Sequence, residues 1–116
     1  MNEMDTTRQQ KINRLLQKEL SEIFLSEARD ELRGTILTVT QVRITPDLSI
    51  ARIYLSIFPS NQKEMVLNHI KEHTKSIRFQ LGERVRHQLR IIPELTFYED
   101  DSLDYIENID TLLTKE

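Results

Sequence analysis

The chain has 116 residues, of which 38% are hydrophobic and 30% charged, a balance that suits one soluble globular domain with a single core. It contains no cysteine, which excludes disulfides, thiolate metal sites and thiol chemistry. Residues 1–10 are polar, so no secretory signal is read there, and no stretch approaches the roughly 18 apolar residues of a membrane span; a cytoplasmic location is expected.

The net charge of −3 conceals a strong asymmetry. Residues 1–69 are balanced. Residues 70–92 carry Lys71, Lys75, Arg78, Arg84, Arg86 and Arg90 against only Glu72 and Glu83. Residues 94–116 carry eight acids and only Lys115. A basic block of this kind points to a polyanionic partner, and the acidic end should sit elsewhere on the fold.

Ile12, Leu15, Leu16, Leu20, Ile23 and Phe24 recur at helical spacing. They predict an amphipathic helix over about residues 7–28, with Asp5, Thr6 and Thr7 as cap candidates. Residues 1–6 are expected to be disordered. Gly34 marks a turn. Ile36 to Ile44 is rich in β-branched residues and predicts a strand. Thr45-Pro46-Asp47-Leu48-Ser49 is a turn, since Pro presets φ and Asp or Ser bonds the nearby backbone. In Ile50 to Phe58, Ala51, Ile53, Leu55 and Ile57 alternate with Arg52, Tyr54 and Ser56. That pattern is a half-buried strand, and the short connection makes the pair an antiparallel hairpin.

Pro59-Ser60-Asn61 ends the hairpin, and Asn61 with Glu64 has capping-box spacing. The apolar positions from Met65 to Leu89 span too much chain for one ordinary helix. His73-Thr74-Lys75-Ser76 lacks a large apolar side chain, which predicts a kink between helices over about 62–73 and 75–90. Gly82 is expected to permit close backbone packing, and Pro93 closes the second helix. Leu95 to Glu99 reads as a short strand. Asp100-Asp101-Ser102 reads as an N-cap cluster for a final helix over residues 102–114. The order is α-β-β-α-α-β plus a C-terminal helix. This is an α+β single domain with helices on one face of a three-stranded sheet.

The basic helix carries the main functional signal. On a helical wheel Arg78, Arg86 and Arg90, joined by Lys75, lie to one side of the Ile77, Leu81, Val85 and Leu89 stripe, with Arg84 on the other. The planar fork of arginine suits phosphate, although a solvated helix face is a plain competing reading. His69-Ile70-Lys71-Glu72-His73 matches the H-x-x-E-H pattern of one zinc protease class. A zinc hydrolase with Glu72 as general base is therefore an alternative, against the plainer reading of two surface histidines. Glu99-Asp100-Asp101 could be a carboxylate cluster, but capping explains it more simply. Tyr54, Phe58, Phe79, Phe97, Tyr98 and Tyr105 read as core or rim residues rather than base-stacking platforms; Tyr54, on the polar face of its strand, is the best exception. No Gly-rich phosphate loop or Ser-His-Asp arrangement is present.

The run Arg90-Ile91-Ile92-Pro93-Glu94-Leu95-Thr96-Phe97, followed by Asp100-Asp101-Ser102, resembles the signature of the ribosome-binding factor A family. The Arg8-to-Phe24 helix, the Val42-to-Tyr54 hairpin and Ile77-Arg78 are similar to that family too, so the likeness covers about residues 8–113. The resemblance implies a type II KH-like fold in which a helix-kink-helix replaces the RNA-clamping GxxG loop. The junction here, His73 to Ser76, indeed holds no glycine. The resemblance further implies a ribosome assembly factor that binds the small (30S) subunit and its 16S rRNA. Such a factor assists late maturation and rRNA end processing, notably in the cold, and is not an enzyme. By position, Lys75, Arg78, Arg84, Arg86 and Arg90 would contact RNA phosphates, with Arg52 a weaker candidate. No catalytic residue, metal, cofactor, small-molecule substrate or membrane is implied, and a monomer is expected when free. A third reading has the acidic C-terminal helix docking a basic protein partner.

Overall fold

A reciprocal cap opens the fold. The structure, a computed structural model, describes residues 6–100. Thr6 caps α1 (Thr7–Asp30): its Oγ1 accepts from the Gln9 amide at 3.1 Å, and Gln9 Oε1 accepts from the Thr6 amide at 2.9 Å. Such a box satisfies two amides that the helix leaves orphaned. Thr6, the last of the residues 1–6 expected to be disordered, is the N-cap of α1, and residues 1–5 lie outside the described residues. The helix runs two residues past the expected Ala28. Gly34 then turns the chain at φ 86°, where a residue without Cβ meets no steric penalty.

β1 (Ile36–Ile44) and β2 (Ile50–Phe58) pair antiparallel, from Ile36 opposite Phe58 to Ile44 opposite Ala51. The register slips between Val39 and Gln41, leaving Thr40 as a bulge. In the connecting turn Asp47 Oδ1 accepts from the hydroxyls of Thr45 (2.7 Å) and Ser49 (2.8 Å) and from the Ser49 amide (3.1 Å). β3 (Glu94–Glu99) lies parallel to β2, giving the sheet order β1-β2-β3. A parallel neighbour needs a long crossover. It is supplied by a 3₁₀ turn (Ser60–Gln62), α2 (Lys63–Glu72) and α3 (Thr74–Val85). This is the order expected from the sequence.

Several local expectations change. The Asn61–Glu64 capping box does not form. Pro59 leads into the 3₁₀ turn, which moves the helix start to Lys63 and leaves Gln62 as an N-cap without a side-chain bond. The kink narrows to one residue, His73, with φ −108° and ψ 17°. α3 stops at Val85 rather than near residue 90, and the amides of Gln88 and Leu89 both bond the Val85 carbonyl. Leu89 nevertheless stays buried at 7% exposure, so the apolar stripe continues through a turn. The chain beyond it reaches β3, whose first amide, that of Glu94, bonds the Ser49 carbonyl at 2.9 Å. A methyl group at Gly82 would sit 3.4 Å from Ile92 Cγ1, an ordinary contact, so close packing does not demand a glycine. Asp100 pins the end of β3 to the bulge, its amide bonding the Leu55 carbonyl at 2.7 Å and its carboxylate accepting from Thr40 Oγ1 at 2.6 Å. The expected helix over 102–114 and the capping residues Asp101 and Ser102 lie outside the described residues.

The core forms between the helices and one face of the sheet. Leu16, Leu20 and Phe24 of α1, Ile70 of α2 and Leu81 of α3 meet Ile53 and Leu55 of β2, all essentially without solvent access. Phe24 meets Phe97 edge to face, with ring centroids 5.9 Å apart. α1 also closes the outer edge of β1. Gln9 Nε2 donates to the Ile44 carbonyl at 3.1 Å, Asn13 Oδ1 accepts from the Ile44 amide at 2.8 Å, and Gln17 Nε2 donates to the Val39 carbonyl at 3.0 Å. Gln9 is buried, so removing its amide strands a desolvated carbonyl. Gln9→Ala should lower unfolding free energy in urea by about 1–3 kcal/mol, while Gln10→Ala, on the exposed side, stays within about 0.5 kcal/mol.

Candidate nucleic-acid interface

Burying Ile77, Leu81 and Val85 turns the opposite side of α3 to solvent. There Lys75, Arg78, Phe79 and Arg86 join Thr74, Gly82, Glu83 and Ile92 around a shallow groove of about 600 Å³. Three cations face one acid. Phe79 is 69% exposed and presents an uncovered aromatic ring between them. Lys75 and Arg86 have no ion-pair or hydrogen-bond partner among the described residues. Arg78 is anchored: its Nε donates to the Pro93 carbonyl at 2.9 Å and its Nη2 to the Ile92 carbonyl at 2.6 Å. It ties α3 to the entry of β3 while its charge stays at the groove.

The other sequence-derived candidates lie elsewhere. Arg84 turns towards α1, where its Nη1 donates to Glu19 (3.0 Å) and Glu22 (2.6 Å). The hydrogen bonds from Glu19, then Glu22, raise its already high pKa. Its donors and charge are met by the protein's own acids, so it does not join the groove. Arg90 was expected beside Arg86 on one helix face. Because α3 ends early, it lies instead in a hollow of about 250 Å³ with Arg8, Asp47 and Leu89. The hydrogen bonds from Thr45, then from Ser49, hold the Asp47 carboxyl below its ordinary value, so this acid stays ionised at neutral pH and offsets a cation there. Arg8 and Lys11 flank the same region beside Gln88. The sequence reading missed both. Their three-residue spacing at the start of a helix was the available signal, but it was averaged away in a balanced segment.

Arg52 sits on the sheet face turned away from the helices, opposite Arg43 and beside Thr96. Tyr54 shares that face and stacks on Tyr98, with centroids 5.3 Å apart and an interplanar angle of 24°. The proposed platform therefore already carries one ring. Glu72 is exposed and does not complete a site with the two histidines. The carboxylates facing His69 and His73 are Glu27 of α1 and Glu31 just past its end, so the zinc-hydrolase alternative finds no support. None of the described helices is long and apolar enough to cross a membrane.

The family model for ribosome-binding factor A matches residues 8–113. The chain belongs to the ribosome-binding factor A family. It is 48% identical to ribosome-binding factor A of Cytophaga hutchinsonii over 97% of its own length and 84% of that protein's. It is 46% identical to the Flavobacterium johnsoniae protein of the same name, over 95% and 85% of the two lengths. The crystal structure of ribosome-binding factor A from Thermus thermophilus shares the fold, with a TM-score of 0.67 over 78% of this chain and 94% of that one, at 24% identity. A homology model of Thermus thermophilus ribosome-binding factor A, fitted into the cryo-EM map of its complex with the 30S subunit, aligns with a TM-score of 0.61 at 28% identity, over 75% and 89% of the chains. The groove on α3 lies within the segment that the family model matches.

The two kinds of groove cation separate by stability. Arg78→Ala removes two bonds to strand-entry carbonyls and should lower unfolding free energy by about 1–3 kcal/mol. Lys75→Ala and Arg86→Ala should stay within about 0.5 kcal/mol, as unpartnered surface residues do. Urea titration of the three variants checks this.

Proposed function

We propose that this protein is a ribosome assembly factor that binds the small (30S) ribosomal subunit and its 16S rRNA, with the α3 groove as its main contact. It acts as a cytoplasmic monomer without catalysis, cofactor or small-molecule substrate. It assists late maturation and rRNA end processing, with its greatest effect in the cold. The observation that carries the reading is the pair of unpartnered cations, Lys75 and Arg86, set around exposed Phe79. Gathering like charges in one groove is unfavourable until an anion joins them, and phosphate is an anion that a planar guanidinium binds with two parallel bonds. Family membership and the placement of a Thermus relative in a 30S complex support the same partner.

Within this reading Lys75, Arg78 and Arg86 bind phosphates, and Phe79 stacks on an unpaired base between them. Arg90, with Arg8 and Lys11, makes a second backbone contact beyond the end of α3. Arg52 lies too far round the sheet to share the groove, and Arg84 keeps a structural role. Binding shifts the population of subunit conformers towards the one that fits this surface.

The three groove contacts to phosphate should contribute about −2 to −3 to the slope of log affinity against log salt, with the second contact adding to it. Lys75→Glu combined with Arg86→Glu should weaken co-sedimentation with small subunits at least tenfold and flatten that slope by about two. Arg84→Ala should leave both unchanged. Unaltered co-sedimentation of the double variant would remove the groove from the interface. Phe79→Ala should weaken binding by about 1–3 kcal/mol without changing the salt slope, and Phe79→Trp should restore it, measured by titration into small subunits.

A further inference from the structure

The α2 histidines are surrounded by chemistry that the RNA-binding reading does not use. One ligand atom each from Glu31, His69 and His73 lies within 4.8 Å of the other two. The imidazole rings stack with centroids 4.1 Å apart. Each ring has one nitrogen committed to an oxygen. His69 Nε2 meets Glu27 Oε1 at 3.0 Å, and His73 Nδ1 meets the His69 carbonyl at 2.7 Å. A carbonyl can only accept, and so can an ionised carboxylate, so in the neutral rings those nitrogens carry the protons. The second nitrogen of each ring is then a bare lone pair. A histidine held this way by a carboxylate or a carbonyl is the arrangement that orients metal ligands.

The local field also favours a cation. Glu27 and Glu31 are four residues apart at the C-terminal end of α1, where two carboxylates repel each other and oppose the helix dipole. His69 and His73 lie at the C-terminal end of α2, whose dipole points the same sign at the same place. We propose that Glu31, His69 and His73 form a binding site for one divalent transition-metal ion, with Glu27 holding His69 from behind. Two imidazoles and one carboxylate suit Zn²⁺, whose ligand bonds of about 2.0–2.2 Å imply ligand separations near 3.4 Å in a tetrahedron. Glu31 follows the last residue of α1 and is exposed, so a side-chain rotation closes the remaining distance. The ion would fasten the end of α1 to the break at His73, from which the α3 groove begins. The site differs from the H-x-x-E-H pattern in its carboxylate, which is Glu31 just past the end of α1 and not Glu72.

Calorimetric titration of the full chain with Zn²⁺ at neutral pH tests the site. One ion should bind per chain, reversibly on adding a chelator, and Mg²⁺ should not compete. His73→Gln and Glu31→Gln should each weaken Zn²⁺ at least tenfold, and Glu27→Gln by about ten- to a hundredfold through the ligand it orients. Glu72→Gln and His87→Gln should bind as the parent does. Absence of one-to-one binding overturns the proposal. So does full affinity in Glu31→Gln, which would leave only a helical histidine pair. None of the substituted side chains is fully buried, and the circular dichroism of each variant should match the parent.

Discussion

The closure of the β1 edge by the amides of α1 governs the rest of the arrangement. An edge strand offers a row of backbone groups that must find water or a partner. Here Gln9, Asn13 and Gln17, one turn apart, answer them from the side of the helix next to its apolar stripe. Ile12, Leu16 and Leu20 enter the core beside them. Helix position is therefore fixed by direction-dependent hydrogen bonds as well as by burial, which alone would tolerate sliding or rotation.

Once α1 is fixed, its acids decide which cations remain available. Glu19 and Glu22 reach Arg84, and Glu27 reaches His69. Lys75 and Arg86 look away from α1 and keep their charge exposed, with Glu83 the one acid at their groove among the described residues. The segregation visible along the chain becomes a segregation in space. One side of α3 is neutralised by the acids of α1, and the other keeps its charge exposed.

Much of the fold could be read before the structure. Both hairpin strands, their turn and the break near His73 have local causes, namely alternation, Pro-Asp chemistry and a gap in the apolar stripe. The end of α3 was hidden because Leu89 is buried whether the helix continues or not, and no Gly or Pro falls between Glu83 and Ile92 to mark the stop. That error moved Arg90 onto the wrong surface. The fate of Arg84 rests on partners more than sixty residues away, which spacing cannot reveal. The roles of Gln9, Asn13 and Gln17 left no signal, since composition does not distinguish an amide facing water from one facing a strand. The bond from Thr40 to Asp100 was hidden for the same reason: Thr40 lies on a bulge that no local pattern announces.

The far side of the sheet has a different fate. β3 is its other border, and it is only six residues long, with a glutamate at each end. Glu99 is also paired with Lys63. A short rim flanked by negative charge is a poor template for a further strand, since a second copy would bring its own acids into register. Pairing of a further strand along this border is thereby disfavoured.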